Sequence, residues 1–269
     1  MINNINTICI IVGSYRNLTT LTSATLMLHP EVQVVNHKYS FNENCDTDFL
    51  VSYSKNKVDN FIKKIIEIAG DEVSVSGDGG VITKSHAFLE HKIMRDVFNN
   101  RYSNTNKKNI KSIIWKESHR NTNLIRKNDV DLLISKDIRF RFFLPIRNPM
   151  DCAMSNMNGY KKYFGADTES KEDVLFGLFE IYSWFFELQK KYPERFMYLF
   201  ENDFKENLLK LENFLKIQHN KDWYKDVNDV WELKNNYKHE QDFINLYKSL
   251  VSKLKDDYIK DKFNIFLNS

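Results

Sequence analysis

The sequence predicts an α/β protein in which a parallel β-sheet is flanked by helices. Short apolar, β-branched runs alternate along the chain with longer segments in which apolar residues recur every three or four positions. The first run, residues 7–12, is apolar almost throughout and ends at Gly13. A continuous run of this kind is typical of a parallel strand that is buried on both faces. The chain is therefore expected to open with a central strand.

The other elements follow from the same patterns. Apolar spacing predicts a helix over residues 18–28, which Pro30 ends, and Val-Gln-Val-Val at 32–35 predicts a strand. Together with the strand at 7–12 they form a βαβ unit, whose crossover is expected to be right-handed. The remaining predicted elements are helices over 58–69, 88–102, 172–192, 204–215 and 243–266 and strands over 112–116, 140–146 and 197–200.

Length and charge limit the classes of protein that remain. The chain has 269 residues, of which 42% are hydrophobic, so it can bury a large core and disorder is excluded as its main state. We expect a single domain, residues 1–269, with a helical C-terminal part. Lys and Arg number 39 against 36 Asp and Glu, without a block of one sign. A duplex nucleic-acid partner is therefore not expected, whereas a local basic pocket for a small polyanion is allowed.

Cysteine and histidine usage predicts neither disulfides nor a metal site. Cys9, Cys45 and Cys152 are odd in number and far apart, and His86 and His91 lack a carboxylate at metalloprotease spacing. No apolar run approaches the length of a membrane span, and residues 1–12 lack the basic start of a signal peptide. We therefore expect a cytoplasmic protein without a transmembrane segment. Its oligomeric state is left open.

The loop after the first strand is a candidate phosphate site. Helix N-termini that follow parallel strands present unpaired N–H groups and partial positive charge to anions. The loop offers small residues, hydroxyls and one cation, but it lacks the Gly-Lys-Ser/Thr ending of a nucleoside-triphosphate loop. Its residues are Gly13, Ser14, Tyr15, Arg16, Asn17, Leu18, Thr19 and Thr20.

A second strand-to-helix turn follows residues 140–146. Asn148 can cap the helix, Pro149 suits its first position, and Asp151 completes an Asn-x-x-Asp capping box. Arg147 then stands at the strand end, and Ser155 follows about two helical turns later. A guanidinium and a hydroxyl in this arrangement can hold a phosphate group.

Together the two turns resemble the phosphate motifs of sulfotransferases that use 3′-phosphoadenosine-5′-phosphosulfate (PAPS). Residues 16–20 are similar to the family's Lys/Arg-Ser-Gly-Thr-Thr, with Asn17 and Leu18 in place of Ser-Gly, and residues 29–32 match its His-Pro-Asp/Glu-Val. The pattern Arg-Asn/Asp-Pro-x-Asp-x-x-x-Ser is matched over residues 147–155. The segment at 200–207 resembles the family's Tyr-Glu-Asp-Leu segment, whereas its C-terminal Arg-Lys-Gly segment is not recognisable.

This resemblance implies a P-loop-like sulfotransferase fold and PAPS as the sulfuryl donor, with no obligatory metal. Arg16 would stabilise the bridging and 5′-phosphate oxygens, together with the amides of residues 15–20 and the hydroxyls of the threonines there. Arg147 and Ser155 would hold the 3′-phosphate. The acceptor would be a hydroxyl of a carbohydrate or another small metabolite.

Several residues are candidates for the base that takes the acceptor's proton. His37 falls within one position of a glutamate that many carbohydrate and tyrosine sulfotransferases carry, and an imidazole suits proton abstraction. Residues 115–120 resemble the Lys-Thr-His strand end of cytosolic sulfotransferases, where Lys116 would donate to the transferring group and His119 or Glu117 would be the base. His86 is a further candidate for the base, and the segment that holds Ser85 and His86 is also a candidate contact for the acceptor.

Two other functions remain open at this point. A P-loop-type nucleotide phosphotransferase would need a phosphate-binding lysine and a magnesium carboxylate, and residues 13–20 supply no Gly-Lys-Ser/Thr. A non-catalytic nucleotide-binding protein of the same fold is conceivable because Leu18 puts a Cβ where the family has glycine.

Overall fold

The structure is a computed structural model that describes residues 4–36, 48–68, 88, 91–102, 107, 109–128, 130–165, 167–232 and 237–267, without the side chains of 48, 67, 68, 102 and 118–121. The strands are β1 Thr7–Ile11, β2 Val32–Val35, β3 Ser112–Lys116, β4 Phe140–Ile146 and β5 Phe196–Phe200. The helices are α1 Thr19–Met27, α2 Lys55–Ile68, α3 Lys92–Tyr102, α4 Ser118–Lys127, α5 Val130–Lys136, α6 Pro149–Met157, α7 Lys171–Lys191, α8 Leu208–Leu215, α9 Lys221–Val230, α10 Gln241–Ser252 and α11 Asp257–Asn264. Short 3₁₀ segments are Asp48–Leu50, Lys161–Phe164, Glu201–Asp203, Lys205–Asn207 and Ile265–Leu267.

The five strands form one parallel sheet in the order β2-β3-β1-β4-β5. All residues of β1, β3 and β4 are buried, as expected of strands covered by helices on both faces. The register pairs Ile10 of β1 with Trp115 of β3 and Phe142 of β4, so β1 and β3 end together, whereas β4 continues to Ile146. The predicted fold class, a parallel sheet flanked by helices with a helical C-terminal part, is confirmed.

Each face of the sheet packs against its own helices. One core joins alternate strand residues such as Ile10 and Phe142 to α2, α6, α7, α10 and α11. The other joins Cys9, Ile114 and Phe143 to α1, α3, α8 and α9. The alternation of strand side chains between the two faces therefore fixes which helices cover which side.

The C-terminal prediction was wrong in one respect. Residues 243–266, expected as one helix, form parts of α10 and α11 with a break between them. Asp256 causes the restart, because its side chain accepts the backbone amide of Ile259 and so caps α11. The predicted helix at 204–215 likewise begins with a 3₁₀ turn before α8, and α4, α5 and α9 were not predicted.

The junction between α1 and β2 is buried and heavily hydrogen-bonded. His29 Nδ1 accepts the amide of Glu31 at 3.1 Å, and Nε2 lies 3.1 Å from the carbonyl oxygen of Gln218. Lys107 Nζ donates to the carbonyl oxygens of Met27, His29 and Val32 and so caps the end of α1. The His-Pro-Glu-Val stretch therefore anchors the first βαβ unit to the segment after α8.

Candidate functional site

The candidate site lies where the strand order changes direction. The chain leaves β1 toward β2 on one side, whereas it leaves β4 toward β5 on the other. In open α/β sheets, ligands bind in the crevice beyond the carboxyl ends of strands at such a point. The loops at 12–18 and 147–148, which follow β1 and β4, flank this crevice, so the sheet brings the two predicted turns side by side.

The loop after β1 turns sharply through three left-handed residues. Gly13, Arg16 and Leu18 have φ values of 132°, 61° and 57°. At Gly13 a Cβ would lie 3.1 Å from Asn17 Nδ2 and 3.2 Å from Leu144 Cδ1, so a larger residue does not fit there. Leu18 is the N-cap of α1 and makes no side-chain capping bond, and the first turn of α1 carries no acidic residue. The start of α1 thus keeps its positive end toward the crevice.

Gly13 and Ser14 are held by the protein rather than directed outward. Thr122 Oγ1 accepts the amide of Gly13 at 2.8 Å and donates to its carbonyl oxygen at 3.0 Å. The buried Ser14 hydroxyl donates to the carbonyl oxygen of Tyr15 at 2.9 Å and lies 3.6 Å from Cys152 Sγ. These two residues shape the loop, whereas Arg16 is exposed and available to a ligand.

Asn17 joins the two turns. Its buried side chain donates from Nδ2 to the carbonyl oxygen of Pro145 at 2.7 Å and accepts from the amide of Arg147 at 3.0 Å. Arg147 Nη1 in turn lies 3.4 Å from the carbonyl oxygen of Arg16. Asn17, which stands where the sulfotransferase motif has serine, therefore has a structural role. Its hydrogen bonds connect the end of β4 to the loop after β1.

The second turn is capped partly as predicted. Asn148 Oδ1 accepts the amide of Met150 at 3.0 Å, and Pro149 occupies the first position of α6. The predicted Asn-x-x-Asp capping box is wrong, however, because the amide of Asn148 donates to Glu201 Oε1 at 3.1 Å instead of to Asp151. Glu201 is buried and follows β5, so a residue of the neighbouring strand end completes this turn.

Asp151 positions Arg147 instead. Its Oδ2 lies 3.7 Å from Arg147 Nη2, and its Oδ1 accepts from His239 Nε2 at 2.9 Å. The carboxylate is almost fully buried. Its Oδ1 has the hydrogen bond from His239, whereas Oδ2 has the longer ion-pair contact with Arg147 and no hydrogen bond among the described residues. Ser155 lies farther along α6 and is half-buried.

Helix α6 also holds the backbone of the first loop. Asn156 Nδ2 donates to the carbonyl oxygen of Tyr15 at 2.9 Å, and the Cys152 thiol lies 3.6 Å from the same oxygen. Burial raises the pKa of Cys152 to about 11, so this cysteine is an uncharged packing group. Cys9 is also a buried free thiol, and Cys45 lies outside the described residues.

Three tyrosines form a wall beside the loop. The Tyr15 ring lies 5.0 Å from that of Tyr160 and 4.7 Å from that of Tyr163, and the Arg16 guanidinium lies 4.7 Å from the Tyr160 ring centroid. Burial, with smaller contributions from Tyr163 and the charge of Glu117, raises the pKa of Tyr15 to about 12. Tyr160 and Tyr163 belong to the loop after α6, so this loop and Arg16 bound one side of the crevice.

The end of β3 forms the other side. Lys116 is the last residue of β3 and pairs in register with Ile11 of β1, and Glu117 is the N-cap of α4. Both side chains are buried, and the charge of Glu117 acts on the Tyr15 hydroxyl. The ends of β3, β1 and β4 thus carry, side by side, Glu117, the Arg16 loop and Arg147.

Several predicted site residues are not described at the level of their side chains. His37, Ser85 and His86 lie outside the described residues. His119 lies in the first turn of α4, immediately after the end of β3, but its side chain is not described.

Sequence reasoning missed the residues that support the two turns. These residues are Thr122, Asn156, Tyr160, Glu201 and His239. Glu201 lies in the segment at 200–207 that resembles the sulfotransferase Tyr-Glu-Asp-Leu segment, and Asn156 directly follows Ser155 on the predicted helix. Tyr160 comes shortly after α6, whereas Thr122 and His239 come from elements distant in sequence and had no local signal.

Neither a metal-binding cluster nor a membrane-spanning helix is found in the part of the chain that the structure describes. None of its His, Cys, Asp and Glu side chains gather in groups of three or more that could hold a metal ion. Likewise, no helix there has the length and apolar character needed to cross a bilayer.

Comparison with known proteins gives matches to solved structures alone. No family model and no curated protein matches the chain. The sulfotransferase domain of the Synechococcus PCC 7002 olefin synthase is 12% identical, with 97% of this chain and 95% of that chain covered and a TM-score of 0.41. The sulfotransferase STF9 from Mycobacterium avium is 10% identical, with 98% and 76% covered and a TM-score of 0.43. Similarity of this degree carries no conclusion about the reaction.

Proposed function

We propose that this protein is a sulfotransferase that transfers a sulfuryl group from PAPS to an acceptor hydroxyl of a carbohydrate or another small molecule. One observation carries the proposal. Arg147 and the loop that holds Arg16 meet at the switch point of the sheet, with 3.4 Å between Arg147 Nη1 and the Arg16 carbonyl oxygen. A single doubly phosphorylated nucleotide can therefore reach both turns.

The hydrogen-bond donors and positive charges around the crevice fit such a nucleotide. Helices α1 and α6 both begin at the crevice, and each adds the positive end of its dipole to a nearby guanidinium. Arg16 and the loop amides of residues 15–20 would hold the 5′-phosphosulfate, with Thr19 and Thr20 beside them. Arg147, oriented by Asp151, would hold the 3′-phosphate together with Ser155.

The chain's contribution to the reaction is positioning and charge. PAPS supplies an activated sulfuryl group and a phosphate leaving group. Arg16 lies where negative charge would accumulate on that leaving group, and Lys116 at the end of β3 would act on the transferring group. Pre-oriented cations of this kind need no rearrangement as the charge develops.

An acceptor would enter beside the tyrosine wall. Glu117 lies near the Tyr15 hydroxyl and is a candidate for the base that takes the acceptor's proton. His37, His86 and His119 remain alternative bases, and Ser85 and His86 remain candidate acceptor contacts. Aromatic faces such as Tyr160 and Tyr163 suit the apolar face of a sugar ring or another planar group.

Binding of the reaction product tests the donor site. Adenosine 3′,5′-bisphosphate should bind the intact chain in calorimetry in the presence of EDTA. Arg147→Ala should weaken this binding about 10–100-fold, the equivalent of a lost charge-assisted hydrogen bond. Arg126→Ala is the matched control, since Arg126 is a partly exposed arginine on α4 whose ion pair with the exposed Glu180 spans 4.0 Å.

Two outcomes would contradict the proposal. If the bisphosphate does not bind, or binds Arg147→Ala as tightly as the unaltered chain, the second turn is not a phosphate site. Transfer from ³⁵S-labelled PAPS to a panel of sugar and small-molecule hydroxyls then separates an enzyme from a binding protein. Binding without transfer to any acceptor would favour the non-catalytic alternative.

A further inference from the structure

The amino ends of the strands, opposite the candidate site, carry a row of buried polar side chains. Thr7 begins β1 and pairs in register with Ser112, which begins β3. Arg141 is the second residue of β4 and pairs in register with Cys9. Alternation along the strands puts all three side chains on the face that packs against α8, together with Cys9, Ile114 and Phe143.

Four polar atoms of this row have no hydrogen-bond partner among the described residues. Arg141 is 5% exposed, and its Nε and Nη1 have no hydrogen-bond partner in the described part of the chain. The same holds for Thr7 Oγ1 and Ser112 Oγ, whose residues are fully buried. Buried donors are nearly always paired in folded proteins, and an unpaired buried charge is costlier still. Several such atoms in one row therefore indicate a ligand.

The surroundings of Arg141 are positively charged. Arg195 precedes β5 and adjoins Arg141, because the amide of Phe142 donates to the Arg195 carbonyl oxygen at 2.8 Å. The ring centroid of Phe214 in α8 lies 5.8 Å from the Arg141 guanidinium, and Lys216 follows at the end of that helix. Burial first, and the charge of Arg195 second, lower the pKa of Arg141, and the charge of Arg141 lowers that of Lys216.

One carboxylate faces this cluster. Glu194 is exposed at its rim and is the acidic residue whose charge acts on both Arg141 and Lys216. Three cations therefore stand against one solvated carboxylate, and none of the described contacts pairs Arg141 with an acid.

We propose that Thr7, Ser112, Arg141 and Lys216 form a second anion site, at the amino edge of the sheet, for a small tetrahedral oxyanion. The guanidinium and the two hydroxyls supply hydrogen-bond donors, and Lys216 supplies charge at the entrance. The occupant is either free phosphate or sulfate or the phosphoryl group of a small molecule, since these share the same chemistry. The site is independent of the proposed sulfotransferase activity.

Thermal unfolding of the full chain tests this site. Phosphate and sulfate, at constant ionic strength set with chloride, should raise Tm by a similar increment for each tenfold rise in concentration above Kd. In an Arg147→Ala background, which weakens anion binding in the crevice, Arg141→Met should abolish this rise. Arg141→Met should also be no less stable than the unaltered chain without the anion, because it removes an unpaired buried charge. Arg147→Ala should retain the rise, which separates this site from the crevice at the other edge.

A second variant keeps the test decisive if Arg141→Met does not fold. Lys216 has a φ of 54°, a conformation that glycine adopts freely, so Lys216→Gly removes a charge without strain. Its Kd for phosphate should rise about three- to tenfold. Glycerol 3-phosphate binding more tightly than inorganic phosphate would identify a phosphorylated molecule as the occupant, and the reverse order would identify the free anion. Absence of any anion-specific rise in Tm, or its survival when Arg141→Met is combined with Arg147→Ala, would overturn the proposal.

Discussion

Asn17 shows how one side chain can set the geometry of the candidate site. It stands in the loop after β1, yet both of its hydrogen bonds go to the end of β4, at Pro145 and Arg147. The Tyr182 hydroxyl lies 3.4 Å from the same Asn17 oxygen, so the amide is also in contact with α7. A hydroxyl has too short a reach to replace both bonds, which explains why asparagine serves at this position.

Replacement of Asn17 should destabilise the protein. Asn17→Ala leaves a buried carbonyl oxygen and an amide unpaired, and we expect the free energy of unfolding to fall by about 2–4 kcal/mol. Urea denaturation measures the change. Asn202→Ala, at an exposed asparagine, should stay within about 0.5 kcal/mol. An Asn17→Ala variant as stable as this control would mean that the bridge contributes nothing.

Leu18 tests how the first loop accommodates a phosphate. Its left-handed backbone costs a residue with a Cβ about 1–2 kcal/mol, whereas glycine adopts it without strain. Leu18→Gly should therefore bind adenosine 3′,5′-bisphosphate at least as tightly as the unaltered chain, as calorimetry would detect. Any loss of stability from the missing side chain should be small, because Leu18 is half-buried. Binding weakened tenfold or more would show that Leu18 itself supports the site.

At the scale of elements, the connection from α1 to β2 depends on a neutral histidine. The His29 side chain is fully buried, accepts one backbone amide at Nδ1, and faces a carbonyl oxygen at Nε2. These two bonds require the tautomer with its proton on Nε2. Burial first, and the charges of Lys107 and His219, lower the pKa of His29 to about 4, although the Gln218 carbonyl opposes the shift. Glu212, at 3.7 Å, already accepts from His219 and Asn220.

Because of His29, the free energy of unfolding should fall as the pH is lowered below 6.5. Because the folded protein holds His29 neutral down to about pH 4, whereas an unfolded histidine takes up a proton near pH 6.5, the stabilisation is complete above pH 6.5 and is lost below it. We expect about 2–3 kcal/mol of this loss between pH 7 and pH 4.5. Urea denaturation of His29→Gln should show a smaller loss over that range. His219→Gln removes only the last of the contributions to this pKa shift and should keep most of the loss. Equal profiles in both variants would assign the loss to other groups.

At the scale of the whole molecule, the sheet order creates the crevice. β1 lies between β3 and β4, so the connections after β1 and β4 leave in opposite directions and their loops face one gap. The residues that line this gap come from positions as far apart as Arg16 and His239. The two hydrophobic cores on either side keep the strand ends in register, so the site is built on rigid elements.

Hydrogen exchange can test whether one ligand spans the gap. On addition of adenosine 3′,5′-bisphosphate, amides in both 14–20 and 147–152 should exchange more slowly, because a bound nucleotide that touches both turns restrains both. Mass spectrometry of peptic fragments measures this change. Helix α5, which ends just before β4 begins at the amino edge of the sheet, should show no change and serves as the internal control. Protection confined to one segment would contradict a shared nucleotide site.

Much of this architecture follows from local sequence. The apolar runs at β3 and β4 predicted both strands with their observed bounds, and Asn148 followed by Pro149 predicted where α6 begins. These features depend on residues within one or two turns of one another, so sequence alone determines them. The break before α11 is also specified locally, because Asp256 caps the helix that follows it. The apolar spacing continues across the break, and for this reason the pattern predicted one helix.

Other features were decided by the tertiary structure. Asn148 donates its amide to Glu201 rather than to Asp151, and Asp151 is thereby left to contact Arg147 and His239. The partners in these contacts include residues 53 and 88 positions apart, and no local pattern specifies which distant carboxylate or imidazole will arrive. Local sequence specifies the five strands, the start of α6 and the residue types of the two turns. Only the packing of strands into one sheet decided that the turns meet, because that proximity depends on strand order.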